Sequence, residues 1–316
     1  MDDYMKNHIK TDYDLVIVGE GPAGLSAAIY ACRAGLKTIL LENSTPGGKV
    51  MKTDEIENYP GFKNIKGPDL GFHFYEQALN LGAEEAGAGI KDFEKKDDIF
   101  FITLSNDKLI TSLTMIIATG TKENLLNIPG EKELYGKGVS YCATCDGAFY
   151  NESQEIVVVG GGYSAIEEAI YLTRFAGKVY IIHRRKDFRV DKKSLEKAKS
   201  NQKISFLLDS AVVAINGNKF VESVIVKNLI TEQVQLLEVA AIFPFIGHNP
   251  NTHFIKNKEI LNNEGYIITN EKMETNIAGL FAAGDVRETP FRQIATAVSD
   301  GAIAGQFAVK YIENIN

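Results

Sequence analysis

The sequence predicts an α/β protein with two Rossmann-like, doubly wound, three-layer dinucleotide-binding domains, one inserted in the other. Three observations carry this reading. A glycine fingerprint of the form GxGxxG follows a short apolar run at residue 19, and the same design recurs at residue 160. After residue 250 the chain returns to motifs that make sense only beside the first fingerprint. A length of 316 residues suits about two domains.

The first element is "DLVIVG", a β-branched apolar run of the kind that forms a buried parallel strand. Gly19, Gly21 and Gly24 follow. In this motif the first glycine permits a tight turn, the second lets backbone approach a pyrophosphate, and the third lets helix and strand pack closely. "PAGLSAAIYACRAG" reads as a helix of small residues whose N-terminus offers N–H groups to phosphate. "KTILLE" is the next strand and ends in Glu42, near the spacing of a ribose-binding acid. That end suits a dinucleotide with a free ribose, such as FAD.

The second fingerprint lies in "EIVVVGGGYSAIEEAIYLTRFAGKVYIIHRRKDFR". Here a strand leads to Gly160, Gly162 and Ala165, then a helix, then the strand "KVYIIH". No acid ends it. His183, Arg184 and Arg185 stand there, with Arg189 shortly after. Arginines bind a ribose phosphate in bidentate fashion where a carboxylate would repel it, so this end predicts NADPH rather than NADH. A solvated basic cluster is the competing reading.

Beyond residue 250, "TNIAGLFAAGDV" predicts a strand ending in Gly284-Asp285. "RQIATAVSDGAIAGQFAVKYI" predicts a helix with small residues on its early turns. Its N-terminus is a candidate neighbour for a flavin ring. Plain core packing explains the small residues equally well.

Composition excludes several classes. Apolar residues are 45% of the chain, enough for a sizeable core, and charged residues are 24%. A net charge of −7 argues against non-specific binding to nucleic acid or anionic membranes. No apolar run reaches the length of a bilayer span, and the polar N-terminus shows no secretory signal. A cytoplasmic location is therefore expected. In a reducing compartment a CxxC pair is more often catalytic or metal-binding than a staple. The chain has one such pair, Cys142 and Cys145 in "CATCDG".

The ordered motifs "PGGKV", "IENYPG", "IIATGT", "IPGE", "CATCDG", "GGGYSA", "HRRKDFR", "FIGHNPNT", "GLFAAGDV" and "RQIATAV" span nearly the whole chain. In this order the sequence resembles the low-molecular-weight, bacterial-type thioredoxin reductases. The resemblance implies an FAD domain at 1–121 and 250–316, an inserted NADPH domain at 122–249 and a homodimer. It implies reduction of the thioredoxin disulfide by NADPH through FAD and the cysteine pair. By it, Cys145 faces the flavin, Cys142 attacks the substrate disulfide, and Asp146 serves as acid and base. An alternative role for Asp146 is a helix cap. The flavin segments carried over are Gly19, Gly21, Pro22, Ala23, Gly24, Glu42, Gly47, Gly48, Lys49, Asn58, Thr119, Gly120, Asp285, Arg292, Gln293 and Ile294. The NADPH segments are Gly160, Gly162, Ser164, Ala165, His183, Arg184, Arg185 and Arg189.

No metal is expected. Zinc needs four clustered ligands, yet Cys32 lies in the first helix, no second CxxC exists, and the five histidines are scattered. A dithiol beside two nucleotide sites reads instead as a redox relay. Because nicotinamide, disulfide and a bulky protein substrate must all be served, the inserted domain is expected to rotate, with hinges near 121–129 and 247–250. Three positions depart from the family pattern: Lys49 replaces Gln, Ala148 replaces an aromatic residue, and Tyr163 replaces Asn. Rival readings are a flavin-linked dithiol oxidase, which has no need of the arginines, a ferredoxin–NADP reductase, which has no use for the cysteines, and a non-catalytic redox sensor.

Overall fold

A computed structural model describes residues 10–53 and 55–315. The polar N-terminal stretch read for a signal falls mainly on residues 1–9, outside them. The chain forms two compact units, one running to Lys122 and resuming at Asn249, the other Glu123–His248.

The first unit opens with Tyr13–Val18 (β1), Pro22–Arg33 (α1), Thr38–Leu41 (β2), Gly67–Asn80 (α2) and Glu84–Glu85 (β3). Ile90–Lys96 (β4), Ile99–Leu104 (β5) and Leu109–Ile117 (β6) then run antiparallel to one another. β1 pairs in parallel with β2 and β6, so the sheet order is β3-β2-β1-β6-β5-β4. β1 is apolar at successive positions because both of its faces are covered. Leu15 and Ile17 pack under the helices, while Val16 and Val18 pack under Phe100, Ile102 and the segment around Phe254.

Thr121–Glu123 (β7) carries the chain into the second unit. There Ala143–Asp146 (α3), Glu155–Val159 (β8), Tyr163–Leu172 (α4), Lys178–Ile182 (β9), Lys192–Lys199 (α5) and Ile204–Leu207 (β10) follow in order. Ser210–Gly217 (β11), Val221–Asn228 (β12) and Val234–Glu238 (β13) form an antiparallel meander, and Ala241–Pro244 (β14) rejoins the parallel sheet β10-β9-β8-β14. Alternate residues of β8 face opposite layers: Ile156 and Val158 pack with α4, Val157 and Val159 with the meander. The three-layer expectation holds in both units. One outer layer, however, is an antiparallel β-structure rather than helices on both faces.

His248–Pro250 (β15) pairs with β7 as the chain leaves. Leu280–Ala282 (β16) then pairs in parallel with Met115–Ile117 of β6, beyond the point where β5 has parted from it. Ile294–Ile315 (α6) closes the unit against α1. Small residues make that approach possible. A Cβ at Gly301 would stand 2.0 Å from the Ala23 carbonyl oxygen, and one at Gly305 2.6 Å from that of Ala27. The small residues of α6 are thus core-packing residues. Gly301→Ala is expected to lower stability by about 1–3 kcal/mol through overpacking, read by urea unfolding, whereas an equal change at the uncrowded Gly35 avoids that clash.

Candidate active site

The three glycines of the first fingerprint do three different things. Gly19 has φ +106°, and a Cβ there would meet the Ala118 carbonyl oxygen at 2.4 Å. One at Gly24 would meet the Gly19 carbonyl oxygen at 1.9 Å. Gly21, by contrast, would meet nothing within 4 Å. The protein's own packing therefore does not require glycine at 21; the position borders open space. Gly21 is also the N-cap of α1 and supplies no side-chain cap, while Pro22 and Ala23 form the first turn. Main-chain N–H groups at such a helix end are the usual partners of phosphate.

Other predicted positions converge on this loop within the first unit. Gly47 and Gly48 adopt left-handed conformations, φ +99° and +63°, which glycine adopts without a Cβ penalty. Gly47 N–H donates to the Glu20 carbonyl at 2.7 Å, and a Cβ on Gly48 would lie 3.1 Å from Gly21 Cα. Glu42 Oε1 accepts from Asn43 N–H, Ser44 N–H and Ser44 Oγ, and its Oε2 accepts from Glu20 N–H at 3.2 Å. Oε2 retains room for a ribose hydroxyl. Thr119 and Gly120 are clamped by Asn251, which donates from Nδ2 to Thr119 O at 2.8 Å and from N–H to Gly120 O at 3.0 Å. Gly120 also borders open space.

Two residues 235 positions apart meet here: Asn58 Nδ2 donates to Gln293 Oε1 at 3.1 Å. Ile294 packs with Val50, Ile56 and Leu70, and the Arg292 guanidinium lies 4.5 Å above the Tyr266 ring while its Nε donates to Asp285 O. Lys49 Nζ donates to Thr121 Oγ1 at 2.8 Å. The turn that precedes Asp285 is held by residues the sequence reading did not single out. Asp300, on α6 and 7% exposed, takes Arg287 through both oxygens at 2.6 and 3.1 Å and accepts the Gly284 N–H at 3.1 Å. An acid amid small residues inside "TAVSDGAIAG" was the available signal.

The second unit repeats the plan. A Cβ at Gly160 would meet the Phe245 carbonyl oxygen at 2.4 Å, and Gly162, the uncapped N-cap of α4, borders open space. Ser164 is exposed on the first turn and Ala165 is buried. Arg189 N–H donates to Gly161 O at 2.8 Å, and Tyr163 Oη accepts the Asp191 N–H, which pins the arginine segment beside the glycine loop. Arg184, Arg185 and Arg189 are exposed, and no acidic partner is found for them among the described residues. His183 behaves differently. It is 8% exposed, its ring fills the space a Gly161 side chain would need, and it tilts against Phe188 at 5.0 Å. Burial lowers its pKa, and the three arginines push the same way.

Cys142 and Cys145 are disulfide-bonded, with Cα atoms 5.3 Å apart. Cys142 is the N-cap of α3, and its Sγ accepts the Cys145 N–H at 3.2 Å. After reduction that donor favours the thiolate form of Cys142. Asp146 is half-buried at the C-terminal end of α3 and makes no side-chain cap. Burial raises its pKa, with a hydrogen bond from Ser140 opposing. Beneath the pair, buried Glu131 accepts from Leu126 N–H and Asn127 N–H at 2.7 Å each and from Tyr141 Oη at 2.5 Å. The sequence reading passed over this anchor. Ala148 and Phe149 are exposed just beyond. Cys32 sits against the core of the first unit, where burial raises its thiol pKa.

Residues 13–301 match the sequence profile of the pyridine nucleotide-disulphide oxidoreductases. The chain belongs to that family. The thioredoxin reductase of Bacillus subtilis is 43% identical over 96% of each chain, and that of Mycoplasma pneumoniae is 43% identical over 92% of this chain and 93% of its own. Among solved structures, thioredoxin reductase from Streptococcus pyogenes superposes with a TM-score of 0.92 at 45% identity, covering 96% of this chain and 98% of that one. The Lactococcus lactis enzyme in its "FR conformation" is also 45% identical, over 96% of this chain and all of that one, yet superposes at 0.65. The expected resemblance and the α/β fold are both borne out.

The two open glycine positions, the uncapped helix ends and the acid-versus-arginine strand ends fit FAD in the first unit and NADPH in the second. Asp300→Ala is expected to destabilise the protein by about 3–5 kcal/mol, because it leaves Arg287 largely buried and unpaired. Asp300→Asn keeps an acceptor for Gly284 N–H and should lose less in urea unfolding.

Proposed function

We propose that the chain is an NADPH-dependent thioredoxin-disulfide reductase. Two fingerprint-bearing units accompany a bonded Cys142–Cys145 pair in the arginine-bearing unit, and this combination carries the reading. Glu42, the PGG loop, Asn58, Thr119, Gly120, Asp285 and Arg292–Ile294 hold FAD. Gly160–Ala165 hold the NADPH pyrophosphate, and Arg184, Arg185 and Arg189 hold its ribose phosphate. His183 supports the loop from below. Bound NADPH and FAD supply the hydride and electron transfer that reduces the pair.

The protein groups then act in sequence. Cys142, as thiolate, attacks one sulfur of the thioredoxin disulfide. A mixed disulfide forms, and the other thioredoxin sulfur leaves and takes a proton from Asp146. Cys145 then gives its proton to the Asp146 carboxylate and attacks Cys142 Sγ, which restores the Cys142–Cys145 bond and releases the second thioredoxin sulfur, and that sulfur takes the proton back from Asp146 to leave as a thiol. Two electrons pass to thioredoxin per cycle. Burial raises the Asp146 pKa above that of an exposed aspartate, the direction a proton donor needs.

Two relatives of equal identity superpose with TM-scores of 0.92 and 0.65, which supports the view that proteins of this build take more than one arrangement. Rotation of the inserted unit belongs to this reading, as do a homodimer, which rests on the resemblance, and a cytoplasmic location, which rests on the sequence expectation.

NADPH oxidation with oxidised thioredoxin as acceptor should vanish in Cys142→Ser and in Cys145→Ser while FAD stays bound. NADPH that bleaches the flavin without passing electrons to thioredoxin would show the wrong acceptor. Arg185→Gln should raise KM for NADPH about tenfold with kcat little changed, the size of one lost charge-assisted phosphate contact, and should narrow the preference over NADH.

A further inference from the structure

Glu20 stands between Gly19 and Gly21, inside the loop read as the FAD pyrophosphate site. The loop bends its side chain inward. Glu20 is 0% exposed, and neither carboxyl oxygen has a hydrogen-bond partner among the described residues. The ionisable groups acting around it are Glu42 after β2 and Glu85 on β3. On α2, Tyr75 is tied to Glu85 by a 2.8 Å hydrogen bond and remains neutral across the ordinary pH range, its pKa pushed up to about 12. No cation is among the groups acting on Glu20. A carboxylate in such a place lacks solvent, donors and counter-charge, and all three lacks favour the protonated acid. Burial, then Glu85 and Glu42, push its pKa up to about 8.

The main chain of the same residue reaches the binding loop directly. Glu20 N–H is the donor to Glu42 Oε2, Glu20 O accepts from Gly47, and the next residue is the glycine that borders open space. A charge on Glu20 therefore appears beside a site that already holds one carboxylate and must accept a diphosphate. Low-dielectric surroundings make that repulsion strong.

We propose that Glu20 keeps its proton in the folded protein and makes FAD capture proton-linked, so that the first unit holds the diphosphate only while Glu20 is neutral. This rests on the assignment of FAD to the first unit. No bond is made or broken; one proton is retained on binding and lost on release at high pH.

Equilibrium dialysis of the full-length holoprotein against graded FAD, between about pH 6.5 and about pH 9, gives the dissociation constant. The wild type should weaken about tenfold from about pH 7 to about pH 9, as one-proton linkage requires, while Glu20→Gln stays level. Glu20→Ser, a smaller neutral side chain, should share the level profile. The difference between wild type and variants removes contributions from other titrating groups. Parallel profiles for wild type and Glu20→Gln, or a level wild-type profile, would overturn the proposal. Absence of FAD binding by every form at every pH would overturn the assignment of the first unit, and the proposal with it. Urea unfolding gives a readout apart from binding. With a folded-state pKa raised above the unfolded one, stability is lost as pH rises up to the folded value and the loss is complete above it, so wild type should lose stability relative to Glu20→Gln from about pH 6.5 to about pH 8 and run parallel to it above that.

Discussion

Main chain must meet main chain at the opening turn of α1, and the first unit depends on that. Gly19 lies against Ala118 O, Gly24 against Gly19 O, and Gly301 of α6 against Ala23 O, all closer than any Cβ permits. A Cβ on Gly284, just after β16, would meet the Ala23 methyl at 2.9 Å. The ends of β1, β6 and β16 and the early turns of α6 are thereby drawn to one place. Residues from 19 to 294 can share a site because these approaches leave no room for side chains. A charge clamp completes the assembly. Asp300 binds Arg287 and the Gly284 N–H together, so the helix that packs on α1 also orients the turn bearing Asp285.

The second unit shows how little the backbone decides about the ligand. Gly160 repeats the close approach against Phe245 O, and Gly162 repeats the open position of Gly21. What differs is the residue type at the end of the second strand. In the first unit Glu42 spends most of its hydrogen-bonding capacity ordering its own turn. In the second, three exposed arginines gather, one anchored by its backbone to Gly161. In the proposed reading, charge sign at one strand end is what separates a free ribose from a phosphorylated one on otherwise similar loops.

Periodicity and glycine spacing made most of the fold legible. The predicted strands "DLVIVG" and "EIVVVG" correspond to Tyr13–Val18 and Glu155–Val159, and the small-residue helices to Pro22–Arg33 and Ile294–Ile315. Spacing carries no information about which distant side chains meet, so the hydrogen bond between Asn58 and Gln293 was legible only as two separate motif positions. His183 illustrates a different blindness. It sits in a basic run, yet its ring lies where a Gly161 side chain would stand, while Arg184 and Arg185, which follow it, are exposed. Glu131 escaped notice because a glutamate in a polar loop looks solvated, whereas this one closes its loop on two N–H groups and the tyrosine preceding Cys142.

Among the described residues Glu20, Asp146 and Glu168 have pKa values raised chiefly by burial, and the settings of the first two suit different work. Asp146 is half-buried, directly follows Cys145 and takes a hydrogen bond from Ser140. It can exchange its proton with a leaving thiolate or with water, as an acid–base group must. Glu20 is wholly enclosed, without a partner for either oxygen. A group so placed has no path to deliver its proton to a reacting atom, and its effect is on charge alone. A glutamate between two fingerprint glycines puts an acid beside a loop read as an anion site, and such conflicts are expected to sit where function compensates for them. Keeping the proton resolves the conflict, because a neutral acid suits both an enclosed position beside Glu42 and Glu85 and the anionic ligand proposed for the loop.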